Sequence, residues 1–462
     1  MSDLYYNEDT IAAVSTGISP GGIGIVRISG PDAIAAADRL FFSRSGQKLA
    51  NVKSHTIHYG TICEDGEMLD EVLVSVMRAP ATYTREDIVE INCHGGIFVV
   101  RKVLRAVLRN GVRPAEPGEF TKRAFLNGRI DLTQAEAVMD LISADNEYAE
   151  KSAVSQLKGS VRDAVLSCRE KILYETAYIE AALDDPEHYD LTGYGDELYS
   201  KLQPILRELE SLYRTSDDGK IMREGIATVI LGRPNVGKST LMNVLSGTDT
   251  AIVTEIAGTT RDVLEETVSI GGLPLRIMDT AGIRTTEDVI EKIGVEKALK
   301  CAENADLILY VLDAASEFSQ EDKDLLEQLS GRQMIVLLNK SDLKQRIKES
   351  DVSAVADAPV ISVSAKENYG IGQLREYVLD LFLGGEVRFN EQVYITNERH
   401  KAALSDVIES LKLVLESIET GMPEDVFTVD LMDAYRSLGT IIGEEIGEDL
   451  INEIFSKFCM GK

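Results

Sequence analysis

The chain carries Leu231-Gly232-Arg233-Pro234-Asn235-Val236-Gly237-Lys238-Ser239-Thr240 near its middle, and this stretch has the GxxxxGK[ST] spacing of a phosphate-binding loop. The apolar run before it predicts a buried strand, and the residues from Ser239 onward predict a helix. In that setting loop amides hold the β-phosphate, Lys238 reaches the β and γ oxygens, and Ser239 offers its hydroxyl to Mg²⁺. Taken alone, the stretch is compatible either with an α/β nucleotide-binding domain or with a glycine-rich turn that happens to fit.

Three further motifs follow in an order that favours the nucleotide site. Asp279-Thr280-Ala281-Gly282 comes after an apolar run, where a carboxylate supports the Mg²⁺ shell and an N–H meets the γ-phosphate. Asn339-Lys340-Ser341-Asp342 ends another predicted strand, and its final carboxylate accepts from the ring N–H and the exocyclic amine of guanine. Ser364-Ala365-Lys366 is similar to the supporting guanine loop of this class. The four motifs together predict a P-loop GTPase.

The group that orients the attacking water differs from the Ras pattern. Ras-type enzymes place a Gln directly after the Asp-x-x-Gly turn, whereas this chain has Ile283 there, and an aliphatic side chain cannot align water. Glu291 is the nearest suitable carboxylate, so we predict it as the catalytic residue; the alternative is that it lies on a solvated helix face. Arg233 and Arg284 are close enough in sequence to be considered as arginine fingers.

A monovalent cation is a second candidate for the role of an arginine finger. Asn235 resembles the residue that helps to bind potassium in cation-activated GTPases, and such an ion would offset charge between the β and γ phosphates. The predicted K⁺ ligands are Asn235, Thr254, Ile256 and Thr259, and the predicted Mg²⁺ ligands are Ser239 and Thr260. The complete predicted GTP site comprises Asn235, Val236, Gly237, Lys238, Ser239, Thr240, Thr254, Glu255, Ile256, Ala257, Gly258, Thr259, Thr260, Asp279, Thr280, Ala281, Gly282, Asn339, Lys340, Asp342, Ser364, Ala365 and Lys366.

Composition excludes several classes of protein. The sequence has 462 residues, of which 44% are hydrophobic, and no long apolar run, so we expect no transmembrane helix. The acidic N-terminus lacks the apolar core of a secretory signal. Five scattered cysteines without a CxxC pair favour a reducing compartment and give no metal site. We therefore expect a cytoplasmic location.

The net charge of −29 argues against general nucleic-acid binding by the whole surface. The balance reverses between residues 97 and 130, where Arg101, Arg105 and Arg109 recur every four residues and share one helix face. A local RNA contact and an ordinary solvated helix are both compatible with this pattern. The other cations of the region are Lys102, Arg113, Lys122, Arg123 and Arg129.

The predicted organisation is a GTPase module inserted into something else. Residues 1–122 mix short strands and helices, which indicates an α+β domain. Residues 123–222 and 385–462 have helical spacing without strands, and residues 223–384 form the GTPase module. Since neither helical flank has an evident partner for its apolar face, we predict one all-α domain interrupted by an inserted α/β P-loop GTPase domain.

At full length the chain resembles the tRNA modification GTPases that act with a flavoprotein on the wobble uridine of certain tRNAs. The most specific marks lie outside the GTPase motifs: the stretch at residues 22–30, GIGIVRISG; the stretch at residues 117–132, PGEFTKRAFLNGRIDL; and the terminal Cys459-Met460-Gly461-Lys462, similar to the family's Cys-x-Gly-Lys ending. The resemblance implies an N-terminal domain that binds tetrahydrofolate, in a 5-formyl or methylene form, and that forms a homodimer.

The resemblance also implies individual folate contacts. The matching positions are Arg27, Glu90, Arg129 and Lys462; many members have Lys where this chain has Arg129. Cationic side chains suit the carboxylates of a folate tail, and Glu90 suits the donors of a pterin ring. Taken alone, Arg27 and Arg129 would be better explained as members of surface ion pairs. Cys459 is either a packed residue or a thiol with a role in the reaction, and the resemblance favours the second.

The function implied is a homodimeric GTPase that forms a heterotetramer with an FAD-dependent partner. It would add an aminomethyl or carboxymethylaminomethyl group to carbon 5 of the wobble uridine, with the one-carbon unit from tetrahydrofolate and GTP hydrolysis driving domain movement. The sequence leaves open the nitrogen donor, the tRNAs modified, the chemical role of Cys459 and the extent of domain movement. Two alternatives are a ribosome-assembly or signalling GTPase with partner-binding flanks, and a folate-dependent transferase regulated by GTP.

Overall fold

The computed structural model describes residues 9–17, 19–189, 191–248, 266–278, 299–300, 302–383, 393–444 and 446–461. Within these ranges the chain divides into two compact units. The first comprises Met1–Met139, Gln156–Asp190 and Pro423–Lys462, and the second comprises Asp140–Ser155 and Leu191–Met422. The finer four-part division predicted from the sequence stays a prediction. No helix of the described ranges is long and apolar enough to cross a membrane.

The N-terminal part forms a seven-stranded sheet with three helices. Its order is β3-β4-β5-β6-β2-β1-β7, antiparallel except for the parallel pair β1 and β7. The strands are β1 Ile11–Val14, β2 Ile23–Ser29, β3 Phe41–Ser43, β4 Thr56–Glu64, β5 Glu67–Met77, β6 Ile88–His94 and β7 Arg113–Pro114. The helices are α1 Ala33–Leu40, α2 Ile97–Arg109 and α3 Glu119–Leu126, and Leu49–Asn51 is a short 3-10 turn.

The alternation of side chains explains which face of this sheet is covered. Val72, Val74 and Val76 of β5 point to one face and are buried in a core shared with α1 and α2. The intervening Leu73 lies on the other face, opposite Tyr59 of β4, and both side chains are exposed. One face of the N-terminal sheet is thus covered by α1 and α2. The other face is exposed at β4 and β5, whereas Ile11 and Ala13 of β1 pack there on Phe120.

Four helices are described between residues 132 and 224. These are α4 Leu132–Ser143, α5 Glu147–Leu157, α6 Ser160–Asp184 and α7 Tyr194–Glu224. Apolar residues recur along α6 at helical spacing, and Val161, Val165, Cys168 and Ile172 are buried. Pro204 is accommodated within α7.

The central part is a doubly covered α/β sheet of order β13-β12-β11-β8-β10-β9. Only the edge strand β9 runs antiparallel to its neighbour, and hydrophobic clusters lie on both faces. The strands are β8 Ile226–Leu231, β9 Glu266–Ile270, β10 Leu273–Ile277, β11 Leu307–Asp313, β12 Met334–Asn339 and β13 Val360–Ser362. The described helices are α8 Lys238–Thr248, α9 Gln320–Gln328, α10 Glu349–Ser353 and α11 Ile371–Leu383.

The chain ends in three further helices, α12 Glu398–Glu419, α13 Glu424–Ile442 and α14 Glu448–Ser456. Within the second unit α12 packs on α7, and within the first unit α13 packs on α6. Helices that precede the α/β sheet in the sequence therefore pack on helices that follow it. This confirms the predicted architecture, in which an α/β module is inserted between helical segments.

Candidate functional site

The phosphate loop spans residues 232–237, between the buried strand β8 and the helix α8. Three of its residues have positive φ: Gly232 at 139°, Asn235 at 62° and Gly237 at 101°. A Cβ on Gly232 would lie 2.3 Å from the carbonyl oxygen of Val311, and one on Gly237 would lie 2.2 Å from Nδ2 of Asn339. The two glycines are therefore required by backbone conformation and by close packing.

Lys238 lies in the first turn of α8, and its ammonium group points back into the loop. Nζ donates hydrogen bonds to the carbonyl oxygens of Gly232 at 2.7 Å and Arg233 at 2.8 Å. Burial lowers the pKa of Lys238, which shows that the charged form lacks full solvation there. The neighbouring Ser239 and Thr240 are exposed at the helix N-terminus, where a hydroxyl can meet a metal ion or a phosphate.

Asn339 joins the phosphate loop to the predicted guanine loop. Its Nδ2 donates to the carbonyl oxygen of Val236 at 2.8 Å, and its Oδ1 accepts from the amide of Ala365 at 3.1 Å. The side chain is buried, so both bonds are shielded from water. Asn339 thus fixes the spacing between the phosphate loop and the loop that contains Ala365.

Asp342 is the last residue of the third motif and contacts the fourth. Its Oδ1 accepts a hydrogen bond of 2.6 Å from the hydroxyl of Ser364, and this bond holds the pKa of Asp342 below its usual value. The amide of Ser341 donates to the carbonyl oxygen of Val363 at 3.1 Å, which holds the two loops together. The Asp342 carboxylate is exposed and ionised, as an acceptor for paired guanine donors must be.

Arg233, which we considered as an arginine finger, has a carboxylate neighbour. Its guanidinium lies 3.9 Å from Oδ2 of Asp322, on α9. Asp322 is buried and also accepts from the hydroxyls of Tyr310 at 3.0 Å and Ser319 at 2.6 Å. Arg233 is therefore drawn toward α9 in this conformation of the loop.

Several predicted nucleotide-site residues lie outside the described residues, as does the other candidate finger, Arg284. Their roles stay predictions. They are Thr254, Glu255, Ile256, Ala257, Gly258, Thr259, Thr260, Asp279, Thr280, Ala281, Gly282 and Glu291.

A second group of predicted residues meets on the N-terminal sheet. Arg27 and Glu90 are direct partners in the register of β2 and β6, and Nε of Arg27 donates to Oε1 of Glu90 at 2.8 Å. The Arg27 guanidinium lies 5.8 Å from the centre of the Tyr83 ring, and that of Arg129 lies 4.6 Å from the same ring. The structure therefore brings Arg27, Glu90 and Arg129 together around Tyr83, a residue that motif reading did not identify.

The C-terminal tail lies against the same N-terminal part. The amide of Gly118 donates to the carbonyl oxygen of Cys459 at 3.2 Å, and the hydroxyl of Ser15 donates to that of Gly461 at 3.0 Å. Gly461 has a φ of 88°, and a Cβ there would lie 2.1 Å from the carbonyl oxygen of Val14. Glycine is therefore required at this position, the Cys459 side chain is exposed, and Lys462 lies outside the described residues.

The basic region is partly neutralised by acidic neighbours from other elements. Arg113 and the buried Arg123 both pair with Asp9 and Glu119, and Arg123 also pairs with Glu86. In addition, Arg109 pairs with Glu64 and Lys102 with Glu67. Arg101 and Arg105 remain exposed on α2. Arg113 and Arg123 therefore stabilise the fold, so fewer cations of this region are available to a tRNA than the sequence alone suggests.

The chain matches known proteins over nearly its whole length. The family described as MnmE helical domain matches residues 132–459, and that described as GTP-binding protein TrmE N-terminus matches residues 10–129. The tRNA modification GTPase MnmE of Lachnoclostridium phytofermentans is 55% identical over 98% of this chain and 99% of its own length. That of Bacillus pumilus is 49% identical over 98% of this chain and 100% of its own.

Among solved structures, the G domain of the T. maritima FeoB iron transporter is 25% identical over 34% of this chain and 97% of that chain, with a TM-score of 0.26, too low to support a structural argument. The identity to the two curated relatives, by contrast, extends over nearly the whole length of each protein. The chain therefore belongs to the MnmE family of tRNA modification GTPases, and it is a GTP hydrolase that binds GTP with Mg²⁺.

Proposed function

We propose that this chain couples GTP hydrolysis to modification of the wobble uridine of tRNA, using a one-carbon unit carried by tetrahydrofolate. The product would carry an aminomethyl or carboxymethylaminomethyl group at carbon 5. The observation that supports this most strongly is the cluster of Arg27, Glu90 and Arg129 around Tyr83 on the domain where the C-terminal tail lies. The alternative of a ribosome-assembly or signalling GTPase does not by itself predict this cluster.

The chemistry of the cluster suits a folate. Arg27 and Arg129 are cations able to pair with the carboxylates of a folate tail, and Glu90 is an acceptor for the amine and ring N–H donors of a pterin. The Arg27 and Glu90 side chains are only 17% and 21% exposed, so a ligand exchanging for their mutual hydrogen bond would meet pre-oriented groups. Lys462 is proposed as a fourth contact. A bound 5-formyl or methylene tetrahydrofolate supplies the carbon unit.

For the nucleotide site we propose the following roles. Lys238 binds the β and γ phosphate oxygens after releasing the carbonyl groups of Gly232 and Arg233, to which it now donates. Ser239 and Thr260 would hold Mg²⁺, and Asp342 would select guanine. Glu291 would orient the attacking water.

We also propose that potassium supports hydrolysis. The backbone of Asn235 is held in the left-handed region at the rim of the loop, and its side chain is exposed. An amide oxygen there can act as a ligand for a hard monovalent cation. Thr254, Ile256 and Thr259 would complete the K⁺ site with their oxygen atoms, and the cation would stabilise charge on the phosphates during hydrolysis.

A homodimer through the N-terminal domain is supported by the open face of its sheet. Large apolar side chains lie exposed there: Ile57 at 66%, Leu73 at 46% and Tyr59 at 44%. Leu73 pairs with Tyr59 in register, and Arg27 and Glu90 lie on the same face. Contiguous exposed apolar groups favour burial against a partner. We propose a second copy of the chain as that partner.

The redox chemistry of the reaction is assigned to a flavin carried by an FAD-dependent partner protein. With the homodimer, two copies of this partner would make a heterotetramer, located in the cytoplasm. The tRNA modification named for the curated relatives supports the tRNA substrate.

Binding of 5-formyltetrahydrofolate to the purified chain tests the proposal. We expect saturable binding by the wild type and a loss of at least about tenfold in affinity in Arg27→Ala, since a charge-assisted contact is removed. Arg101→Ala, which removes an exposed arginine from α2, is the matched control and should bind normally. Equal affinity of Arg27→Ala and the wild type would contradict the proposed folate site.

A further inference from the structure

Asp313, the last residue of β11, has a carboxylate held in one orientation by two different donors. Its Oδ1 accepts from the amide of Ala315 at 2.9 Å, and its Oδ2 accepts from Nζ of Lys340 at 2.6 Å. The Asp313 side chain is 16% exposed and that of Lys340 is 34% exposed. Burial opposes ionisation of Asp313, but the hydrogen bonds from Lys340 and Ala315 outweigh it and lower its pKa. The contact is therefore a charge-assisted hydrogen bond.

Lys340 also contacts the phosphate loop. The same Nζ donates a second hydrogen bond, at 2.9 Å, to the backbone carbonyl oxygen of Asn235. Asp313 thus faces one side of the ammonium and the loop carbonyl faces another. The path runs from a β-strand end, through a lysine head group, to the backbone of the loop.

Both residues joined by this second bond have unfavourable backbone conformations. Asn235 and Lys340 each have a φ of 62°, in the left-handed region that non-glycine residues avoid. Such conformations persist only when surrounding contacts hold them. A carboxylate that fixes the ammonium therefore contributes to holding the Asn235 carbonyl in place.

We propose that Asp313 is a positioning residue for GTP hydrolysis, acting through Lys340 on the backbone of Asn235. It sets the direction of the Asn235 carbonyl and, with it, the place of the Asn235 side chain. The part of this inference that concerns potassium rests on the proposed function, in which Asn235 is a K⁺ ligand. The part that concerns the shape of the loop does not.

The test compares Asp313→Asn with Asp306→Asn in the full-length chain. Asp306 directly precedes β11, at the end opposite Asp313, and its Oδ2 accepts from the amide of Ala227 at 2.9 Å. Both variants replace a carboxylate in a hydrogen bond with a neutral amide, at opposite ends of one strand. Asp313→Glu keeps the carboxylate one methylene further out and serves as the rescue variant. Thermal unfolding establishes that each variant is folded.

Hydrogen exchange of nucleotide-free protein is the first readout. We expect peptides covering residues 232–238 to exchange about tenfold faster in Asp313→Asn, because the loop backbone loses a charge-assisted restraint. Asp306→Asn should leave these peptides unchanged, and Asp313→Glu should restore part of the protection. Unchanged exchange in Asp313→Asn would overturn the proposal whatever the salt dependence of hydrolysis. If Asp313→Asn does not fold, Asp313→Ser, which also lacks the carboxylate, takes its place with the same expected result, and unchanged exchange in that folded variant would also overturn the proposal.

Potassium titration of GTP hydrolysis at saturating GTP is the second readout. Asp313→Asn should need roughly tenfold more K⁺ for half-maximal rate, because the Asn235 side chain, the proposed K⁺ ligand, is less well placed. Asp306→Asn should have the same K⁺ requirement as the wild type. A wild type that ignores potassium would contradict the proposed cation site, while hydrogen exchange would still decide the role of Asp313. An unchanged K⁺ requirement in Asp313→Asn, with a potassium-dependent wild type, would overturn its link to the cation.

Discussion

At the scale of single residues, Asp342 illustrates how a neighbouring loop prepares a binding group. The Ser364 hydroxyl donates to one carboxylate oxygen at 2.6 Å and favours the ionised form, which is the form that accepts from guanine. The remaining acceptor capacity is available to a base because the carboxylate is exposed. Selectivity for guanine is thus expected to depend on Asp342, whose carboxylate is held by Ser364 of the neighbouring loop.

We expect Asp342→Asn to weaken GTP binding by about 10- to 100-fold and to improve binding of xanthosine triphosphate, since the amide donates where the carboxylate only accepts. Competition binding with the two nucleotides measures this exchange of preference. Glu367→Gln, which alters an exposed carboxylate of the neighbouring loop, should keep the preference for GTP. An unchanged preference in Asp342→Asn would move base recognition to another residue.

The predicted water-orienting residue, Glu291, lies outside the described residues and is tested by kinetics. If it acts through the transition state, Glu291→Ala should lower the rate of hydrolysis by about 10²-fold or more with nearly constant GTP affinity. Glu287→Ala removes a carboxylate four residues away and is the matched control. Single-turnover rates and nucleotide titration separate chemistry from binding. Normal hydrolysis by Glu291→Ala would return this residue to a solvated helix face.

At the scale of secondary-structure elements, the C-terminal tail departs from the usual behaviour of a chain end. Short termini are ordinarily frayed and dispensable, but here Phe458 is buried beside Phe455, and the carbonyl oxygens of Cys459 and Gly461 both accept hydrogen bonds. Residues 458–461 therefore pack against the N-terminal sheet domain, where the proposed folate site lies.

Deleting residues 459–462 should abolish tRNA modification and weaken folate binding while leaving GTP hydrolysis intact. The phosphate loop shares none of the deleted groups, and the buried Phe458 is retained. GTPase rates in vitro and wobble nucleosides in a strain carrying only the truncated protein provide the two measurements. Lys462→Ala separates the predicted folate contact from the rest of the tail. Normal modification by the truncated chain would show that the tail is dispensable.

Helix α3 adds a pH-dependent contribution to stability. Burial opposes ionisation of Glu119, but Arg113 and Arg123 outweigh it, so its pKa is lowered from the ordinary value of 4.5. A depressed carboxyl pKa contributes stability above 4.5 that is lost as the pH falls through the folded-state value.

We therefore expect Glu119→Gln to destabilise the first unit by about 1 to 3 kcal/mol at neutral pH, since Arg123 is buried. The difference from the wild type should shrink below pH 4.5. Chemical denaturation at a series of pH values measures both effects. Glu116→Gln, which alters a neighbouring exposed carboxylate, should change little. A difference that is constant across acid pH would contradict the ionic role of Glu119.

Much of the fold followed from short-range patterns. The buried run of β8 and the glycines of the phosphate loop identify an α/β nucleotide domain because each depends on adjacent residues. The role of Tyr83 beside Arg27, by contrast, depends on a contact across 56 positions in the sequence, and no local spacing encodes it. The same holds for Asp313, whose partner Lys340 lies on a different strand end. Sequence patterns also do not predict the ion pairs of Arg113 and Arg123, because Asp9 and Glu86 lie far from them in the sequence.

At the scale of the whole molecule, we propose different chemistry for the inserted GTPase and for the N-terminal domain. Helices on both sides of the insertion pack together within each compact unit, α6 with α13 and α7 with α12. Within the second unit, helices from both sides of the α/β module therefore pack together.

Hydrolysis by the whole protein should depend on a monovalent cation close to potassium in size. We expect turnover in potassium to exceed turnover in sodium by at least about tenfold at equal ionic strength, since the cation would stabilise charge between the β and γ phosphates. Steady-state GTPase assays in the two salts measure the ratio. Equal rates in both salts would exclude the proposed cation site.

We propose that this GTPase acts in the modification of wobble uridine. The nucleoside composition of tRNA tests that role most directly. Mass spectrometry should be applied to tRNA nucleosides from a strain lacking the protein and from the same strain complemented with the wild type, Lys238→Ala or Arg27→Ala. We expect the C5-substituted wobble uridine to be lost in the deletion strain, to be restored by the wild type, and to remain absent with either variant. A normal content of modified wobble uridine in the deletion strain would contradict it.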